Sequence, residues 1–326
     1  VAGWQIVTRS SARSLLQISR LLPILGCAVL AWLLAAGPAV AAPAGVTLQV
    51  SGMSTPVGMA ADTDGDCYWV TDGKTATTRT LVSVDSSGRQ AKSISWQATP
   101  KDVQALAWAD STLYVGDIGD PSADRDHIQI LSPMSLSGTS TSWRAWDLVY
   151  PDGAHDSSAM AVSPRGNIYI VTKGASAAVY RAPSELSRDS DNALVKVASA
   201  PDGVTDAVFL TGGTELALRT TDQVTLMDAY SWKTLATASI SATGGEAISN
   251  DLTGKGLLVS GPSTAVAGMD LPHAGDRATP SPSASAQPAS SDSTDSQAAS
   301  RTGTLLMLIG SVVVALAAAV VVYRVR

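Results

Sequence analysis

The chain has 326 residues and a formal net charge of −6. With no basic patch to follow a phosphate backbone, nucleic-acid binding is excluded as a main activity. Of its two cysteines, Cys27 lies in an apolar N-terminal run, so Cys67 has no partner in the rest of the chain. Disulfide stapling and thiolate-cluster metal sites are excluded for the same reason.

Residues 1–41 read as a signal peptide. Arg9, Arg13 and Arg20 precede an apolar run from Leu21 to Ala36. Gly37 and Pro38 then break the run ahead of small residues at Ala39 and Ala41, and cleavage is expected after Ala41. An uncleaved anchor is the alternative.

Residues 44–271 form the expected domain. Apolar residues there come in short alternating runs separated by Gly, Asp, Pro and Ser, and no helical period is sustained, which predicts an all-β fold. A unit recurs: a small residue, a few apolar positions, a polar turn, then a second apolar run. The small anchors are Gly58, Ala105, Ala159, Ala207 and Ala247, at intervals of about 40 to 54 residues. Units of four strands at such spacing predict a β-propeller of five blades. A β-sandwich is the competing arrangement, and six blades the competing count. The last unit lacks a fourth strand, while "GVTLQVS" at 45–51 is an unused strand ahead of the first. The N-terminal strand is therefore expected to complete the last blade and hide both edges.

Beyond the domain, residues 272–303 are rich in Ser, Ala and Pro and without aromatic or large aliphatic residues after Leu271 and before Leu305. They predict a disordered stalk. Residues 304–323 are uncharged and apolar, long enough for a transmembrane helix, and Arg324 and Arg326 follow in a short tail, 324–326. The expectation is a single-pass protein of the cell membrane. Its partners would be the membrane, through one C-terminal span, and an extracellular polar ligand or protein; its C-terminus would be cytoplasmic.

In a propeller, the start of each blade's first strand and the end of its second strand lie on one face. That geometry brings Asp72, Asp102, Gln104, Asp117, Asp156, Ser158, Lys173, Asp206, Arg219 and Glu246 to one mouth of the central channel. Asp120 and His155 are expected beside them, in the loops "GDIGDPSADRDH" and "PDGAHD". Acids from four blades, Asp117, Asp156, Asp206 and Glu246, could hold a hard cation such as Ca²⁺. The alternative for each aspartate is a turn cap that solvates loop backbone. "DTDGD" at 62–66 lacks the glycine and distal glutamate of a calcium loop and reads as a hairpin turn on the opposite face. No Gly-x-Ser-x-Gly, Walker or His-rich zinc signature is present.

"LYVGDIGDPSADRDHIQIL" and "YPDGAHDSSAMAVSPRGNIYIVTK", with "VTDAVF" and "LALRT", resemble secreted or surface β-propeller-like proteins of high-GC Gram-positive bacteria. The resemblance covers most of residues 57–220. It implies an acidic residue in the pattern D-x-E-x-(L/M/I) at the axial loops, where this chain has Gln104 and Ser158 while keeping Asp102 and Asp156. If such relatives include metal-dependent hydrolases, this chain would bind without turnover. Two functions compete: a surface-displayed binding module working through the channel mouth, and a metal-dependent extracellular hydrolase of a phosphoester, lactone or glycan.

Overall fold

The computed structural model describes residues 42–73 and 79–273. The signal peptide, the stalk from residue 274, the transmembrane helix and the tail expected from sequence lie outside the described residues. Within them all regular structure is β-strand, and no helix is long and apolar enough to cross a membrane.

The strands form five antiparallel blades arranged as a β-propeller. Their inner strands are Gly58–Asp62, Val103–Ala109, Ser157–Val162, Asp206–Phe209 and Ile248–Asn250. Each begins within two residues of its small anchor residue. The reason is crowding at the axis. A Cβ on Gly58 would lie 2.8 Å from the Leu106 nitrogen and 3.0 Å from the Ala105 carbonyl carbon of the next blade. Ala105 and Ala159 are wholly buried, and Ala207 and Ala247 nearly so.

The ring is closed from the N-terminus, as expected. Val46 and Thr47 pair antiparallel with Val266 and Ala265, making the outer strand of blade 5. The chain then crosses to blade 1, where the Gln49 amide donates to the Gly88 carbonyl at 2.7 Å. Val46 and Leu48 are buried with Tyr68, Val82, Val84 and Leu258.

There is no single core. Five hydrophobic clusters each occupy the space between adjacent blades. Large side chains such as Trp69 and Tyr180 lie in these layers. The sequence reading missed two short additions. Ser140–Thr141 pairs in parallel with the outer strand of blade 1, and Asn192–Ala193 does the same on blade 2. Each reaches back from the following blade and covers an exposed edge. Asn192 fixes the second by donating to the Asp147 carbonyl at 2.9 Å and accepting from the Ser187 amide at 2.8 Å.

Two outcomes check this architecture. Gly58→Val should destabilise the fold by about 1–3 kcal/mol in chemical denaturation, since the side chain has only neighbouring backbone to displace. Removing residues 42–49 should leave Ala265–Asp270 an open edge and cause aggregation or loss of cooperative unfolding; a melt unchanged from wild type would refute the closure.

Candidate functional site: the channel mouth

The polar residues at the start of the inner strands and the end of the second strands form two networks that join neighbouring blades. They are not one ring of free carboxylates.

The first network joins blades 2 and 3. Asp117 is 1% exposed. Its Oδ1 accepts the Asp102 amide at 2.6 Å and the Lys101 amide at 3.1 Å. Arg125 closes on both carboxylate oxygens at 3.2 Å, donates to the Gly119 carbonyl at 2.9 Å, and has a side chain only 7% exposed. Asp120, also buried, caps its own loop by accepting the Asp124 and Arg125 amides. The Asp120 amide in turn donates to Asp156 Oδ1 at 2.8 Å, which ties the long loop of blade 2 to blade 3. The acid-rich stretch after Gly116 is thus a loop folded around its own arginine.

The second network joins blades 4 and 5. Asp206 accepts the Ile248 amide at 2.9 Å and its neighbour Ala207's amide at 2.8 Å. Complete burial pushes its carboxyl well above the usual carboxylate range, against the pull of those two N–H groups and of Arg219. Arg219 has no exposed surface, and its Nη2 donates to the Ser260 carbonyl at 2.7 Å. Its Nε and Nη1 are buried without a hydrogen-bond partner. Burial lowers its pKa to about 10, opposed by the charges of Asp206 and Glu246. The Glu246 carbonyl accepts Thr205 Oγ1, and its amide donates to Ser260 Oγ.

Two further contacts belong to the same face. Ser158 Oγ donates to the Val204 carbonyl, joining blades 3 and 4. Asp72 accepts the Ser54 amide and hydroxyl at 3.3 Å and is buried.

The expected calcium set is therefore not assembled. Among the described residues no group of three or more His, Cys, Asp or Glu side chains is arranged to hold a metal ion. Asp117 and Asp206 spend their oxygens on backbone N–H groups and, for Asp117, on a guanidinium. "DTDGD" is a hairpin turn, as its spacing suggested, with Asp62 accepting the Gly65 amide at 2.6 Å and Trp69 Nε1 at 3.0 Å.

What remains toward solvent is a mixed set. Lys173 Nζ lies 3.6 Å from Asp156 Oδ2 and 3.5 Å from Gln104 Oε1, spanning blades 2 and 3. Gln104 donates to Asp102 Oδ1 at 2.7 Å. Beside this set lies a cavity of about 300 Å³, lined by Asp124, Arg125, His127, Tyr150 and His155 among others. His155 Nε2 is 3.0 Å from Asp152 and 3.3 Å from the Tyr180 hydroxyl, which itself donates to Asp152 at 2.8 Å. The Tyr150 ring meets both His155 and Tyr180 edge-on at 5.0 Å. Burial raises the phenols of Tyr150 and Tyr180, so both stay neutral hydrogen-bonding groups. Partial burial works to raise Asp152, but the hydrogen bonds from Tyr180 and His155 prevail and hold it below its ordinary value.

Sequence reading found His155 but not Asp152, Tyr150, Tyr180 or Arg125. The signal for Arg125 was present: a lone arginine in a loop of four aspartates needs a carboxylate to enter the fold.

No protein-family model and no curated protein matches the sequence. Solved structures share partial likeness. Kuenenia stuttgartiensis hydrazine synthase matches with 12% identity and a TM-score of 0.36, over 62% of this chain and 60% of that one. A streptogramin B lyase matches with 13% identity and a TM-score of 0.38, over 70% and 72%. XC5397, a gluconolactonase from Xanthomonas campestris, matches with 15% identity and a TM-score of 0.41, over 71% and 99%. Likeness at this level fixes neither ligand nor chemistry.

Removing Arg125 should leave Asp117 a buried, uncompensated charge. Arg125→Met is expected to cost about 3–5 kcal/mol, and Asp117→Asn in the same chain to recover part of that loss, as read by urea unfolding. Asp206 gives a pH test. Its folded pKa is raised, so its contribution to stability is fully present below the unfolded value of about 4 and is lost as pH rises through the folded value. Relative to wild type, Asp206→Asn should therefore gain stability between pH 5 and pH 7. A pH-independent difference would show that Asp206 titrates as it does in the unfolded chain.

Proposed function

We propose that the protein is a cell-surface binding module that recognises a polar ligand at the mouth of its channel. One observation carries this reading: the deepest carboxylates at the mouth, Asp117 and Asp206, are occupied by partners within the chain, while Lys173, Asp156, Gln104 and Asp102 remain as a mixed donor and acceptor set at the rim. Such a set suits reversible ionic and hydrogen-bonded recognition. The histidine-lined cavity next to it adds room for a small polar group. Display outside the cell is supported by the apolar segment 304–323 with Arg324 and Arg326 behind it, and by the Ser-, Ala- and Pro-rich segment before it.

The second reading is hydrolysis of a phosphoester, lactone or glycan. Its specific support is the Asp152, His155 and Tyr180 cluster, where a histidine held by a carboxylate has the form of a general base.

One experiment separates them. The full chain in mild detergent is screened against arrays of charged peptides and saccharides, in parallel with chromogenic phosphoester, lactone and glycoside substrates. The binding reading expects retention of a charged ligand that weakens at least tenfold in Lys173→Met with Asp156→Asn, and weakens with salt. Turnover lost in His155→Gln, with ligand retention unaffected by the rim substitutions, would overturn it. Chelation should leave the melting temperature unchanged, because the carboxylates at the mouth already have partners within the chain.

A further inference from the structure

The opposite face, where first and second strands turn into each other, carries a cleft of different chemistry. It lies between blades 3 and 4 and has a volume of about 400 Å³. Tyr169, Phe209, Tyr230 and Trp232 line it together with Arg165 and Arg181, and no Asp or Glu does. In a chain of net charge −6 this is a local reversal of sign. The aromatic wall is continuous: the Tyr169 ring centroid is 5.2 Å from Phe209 and 5.5 Å from Trp232.

Ser163 and Asn167 at its edge bond to each other, but the arginine and aromatic polar atoms of this cleft are unused. Among the described residues neither guanidinium has a hydrogen-bond or ion-pair partner, and neither do the Tyr169 and Tyr230 hydroxyls or Trp232 Nε1. Tyr230 is 64% exposed, far more than an aromatic ring of the core. The lining is thus rich in donors and free of carboxylate acceptors.

Trp232 adds an independent observation. Its φ is 57°, left-handed backbone that a bulky residue rarely adopts. The turn dictates this conformation. The Trp232 amide donates to the Asp228 carbonyl at 2.8 Å, and the Asp228 carboxylate accepts the Ser231 amide at 2.6 Å. Glycine or asparagine would fit the position without strain. Strained residues of this kind gather at ligand clamps, and this one places its ring at a cleft.

We propose that the cleft binds an anionic saccharide. The flat aromatic faces of Trp232 and Tyr230 suit the apolar face of a sugar ring. Arg165 and Arg181 suit its carboxylate or phosphate, because the planar guanidinium fork grips such groups through paired hydrogen bonds. The free hydroxyls and the indole N–H suit its ring oxygens. The volume fits a short saccharide and is too small for a folded partner. This site is independent of the channel mouth.

The test is calorimetric titration of the full chain in mild detergent with trigalacturonate, glucose 6-phosphate, maltotriose and tetraglutamate. Trigalacturonate, glucose 6-phosphate or both should bind, and maltotriose should bind at least tenfold more weakly; which of the two binds tells whether carboxylate or phosphate is the anion. Arg165→Ala with Arg181→Ala should weaken binding at least tenfold. Trp232→Asn should do the same while keeping the wild-type circular dichroism spectrum, since asparagine tolerates the left-handed turn. Lys92→Met, on the strand Gln90–Trp96 of blade 1, should bind as wild type. Failure of both anionic sugars to bind overturns the proposal. So does maltotriose binding as tightly as they do, tetraglutamate binding as tightly as trigalacturonate, or arginine variants that bind unchanged.

Discussion

Five inner strands must share one axis, and the rest of the structure follows from how little room they leave. The backbone of Gly58 lies against that of Ala105 and Leu106, where not even a methyl group fits without displacement. At that point bulk is excluded, and many of the large side chains go into the five layers between blades. The void between the middles of the inner strands is about 40 Å³, and a cavity of about 330 Å³ opens where those strands end, on the face away from the mouth. That leaves no deep axial chamber for a ligand, and the usable cavities lie at the rims, where loops and hairpin turns diverge. Crowding at the centre thus determines where recognition can occur.

The same closeness explains the fate of the acids. At the mouth, the start of one blade's inner strand lies beside backbone N–H groups of its neighbour that have no strand partner. Asp206 and Asp156 satisfy such groups across blade boundaries, and Asp117 satisfies those of its own connecting segment. A buried amide without an acceptor is costly, so a carboxylate that reaches it holds the joint. Arg125 supplies the positive charge that holds Asp117 inside, whereas at Asp206 burial outweighs the pull of Arg219. The mouth is first a set of joints between blades and only at its outer rim a surface for other molecules.

How much of this could be read from the letters depends on what each feature pairs with. The blades were legible because small anchors recur, and the closing strand because the last unit was one strand short. The meeting of inner-strand starts with second-strand ends was legible too, as Asp206 opposite Arg219 and Val103 opposite Asp117 show. The burial of the acids was not: Asp206 bonds to backbone, which has no letter, and Asp117 bonds to an arginine in a loop outside the repeat. The strands Ser140–Thr141 and Asn192–Ala193 are too short to show any alternation. The aromatic cleft is assembled from turns at residues 165 and 232 and strands between them, positions that alignment on the anchors does not compare. One local clue existed, a tryptophan in "DAYSWKT" where such a turn usually takes glycine.

Closure by Val46 and Thr47 has a consequence for how the molecule forms. The segment that completes the ring is the first part of the domain to be synthesised, and its partner, Ala265–Asp270, is the last. Blade 5 has no outer strand until nearly the whole chain exists, so four blades must wait with an open flank. Contacts so distant in sequence are slow to form, and the waiting state exposes strand edges that favour association with other copies. Once closed, the ring has no free end from which a blade can peel, and opening must break the first and last segments apart together. The difficulty of assembly and the difficulty of opening thus have one origin, the distance in sequence between Val46 and its partner Val266.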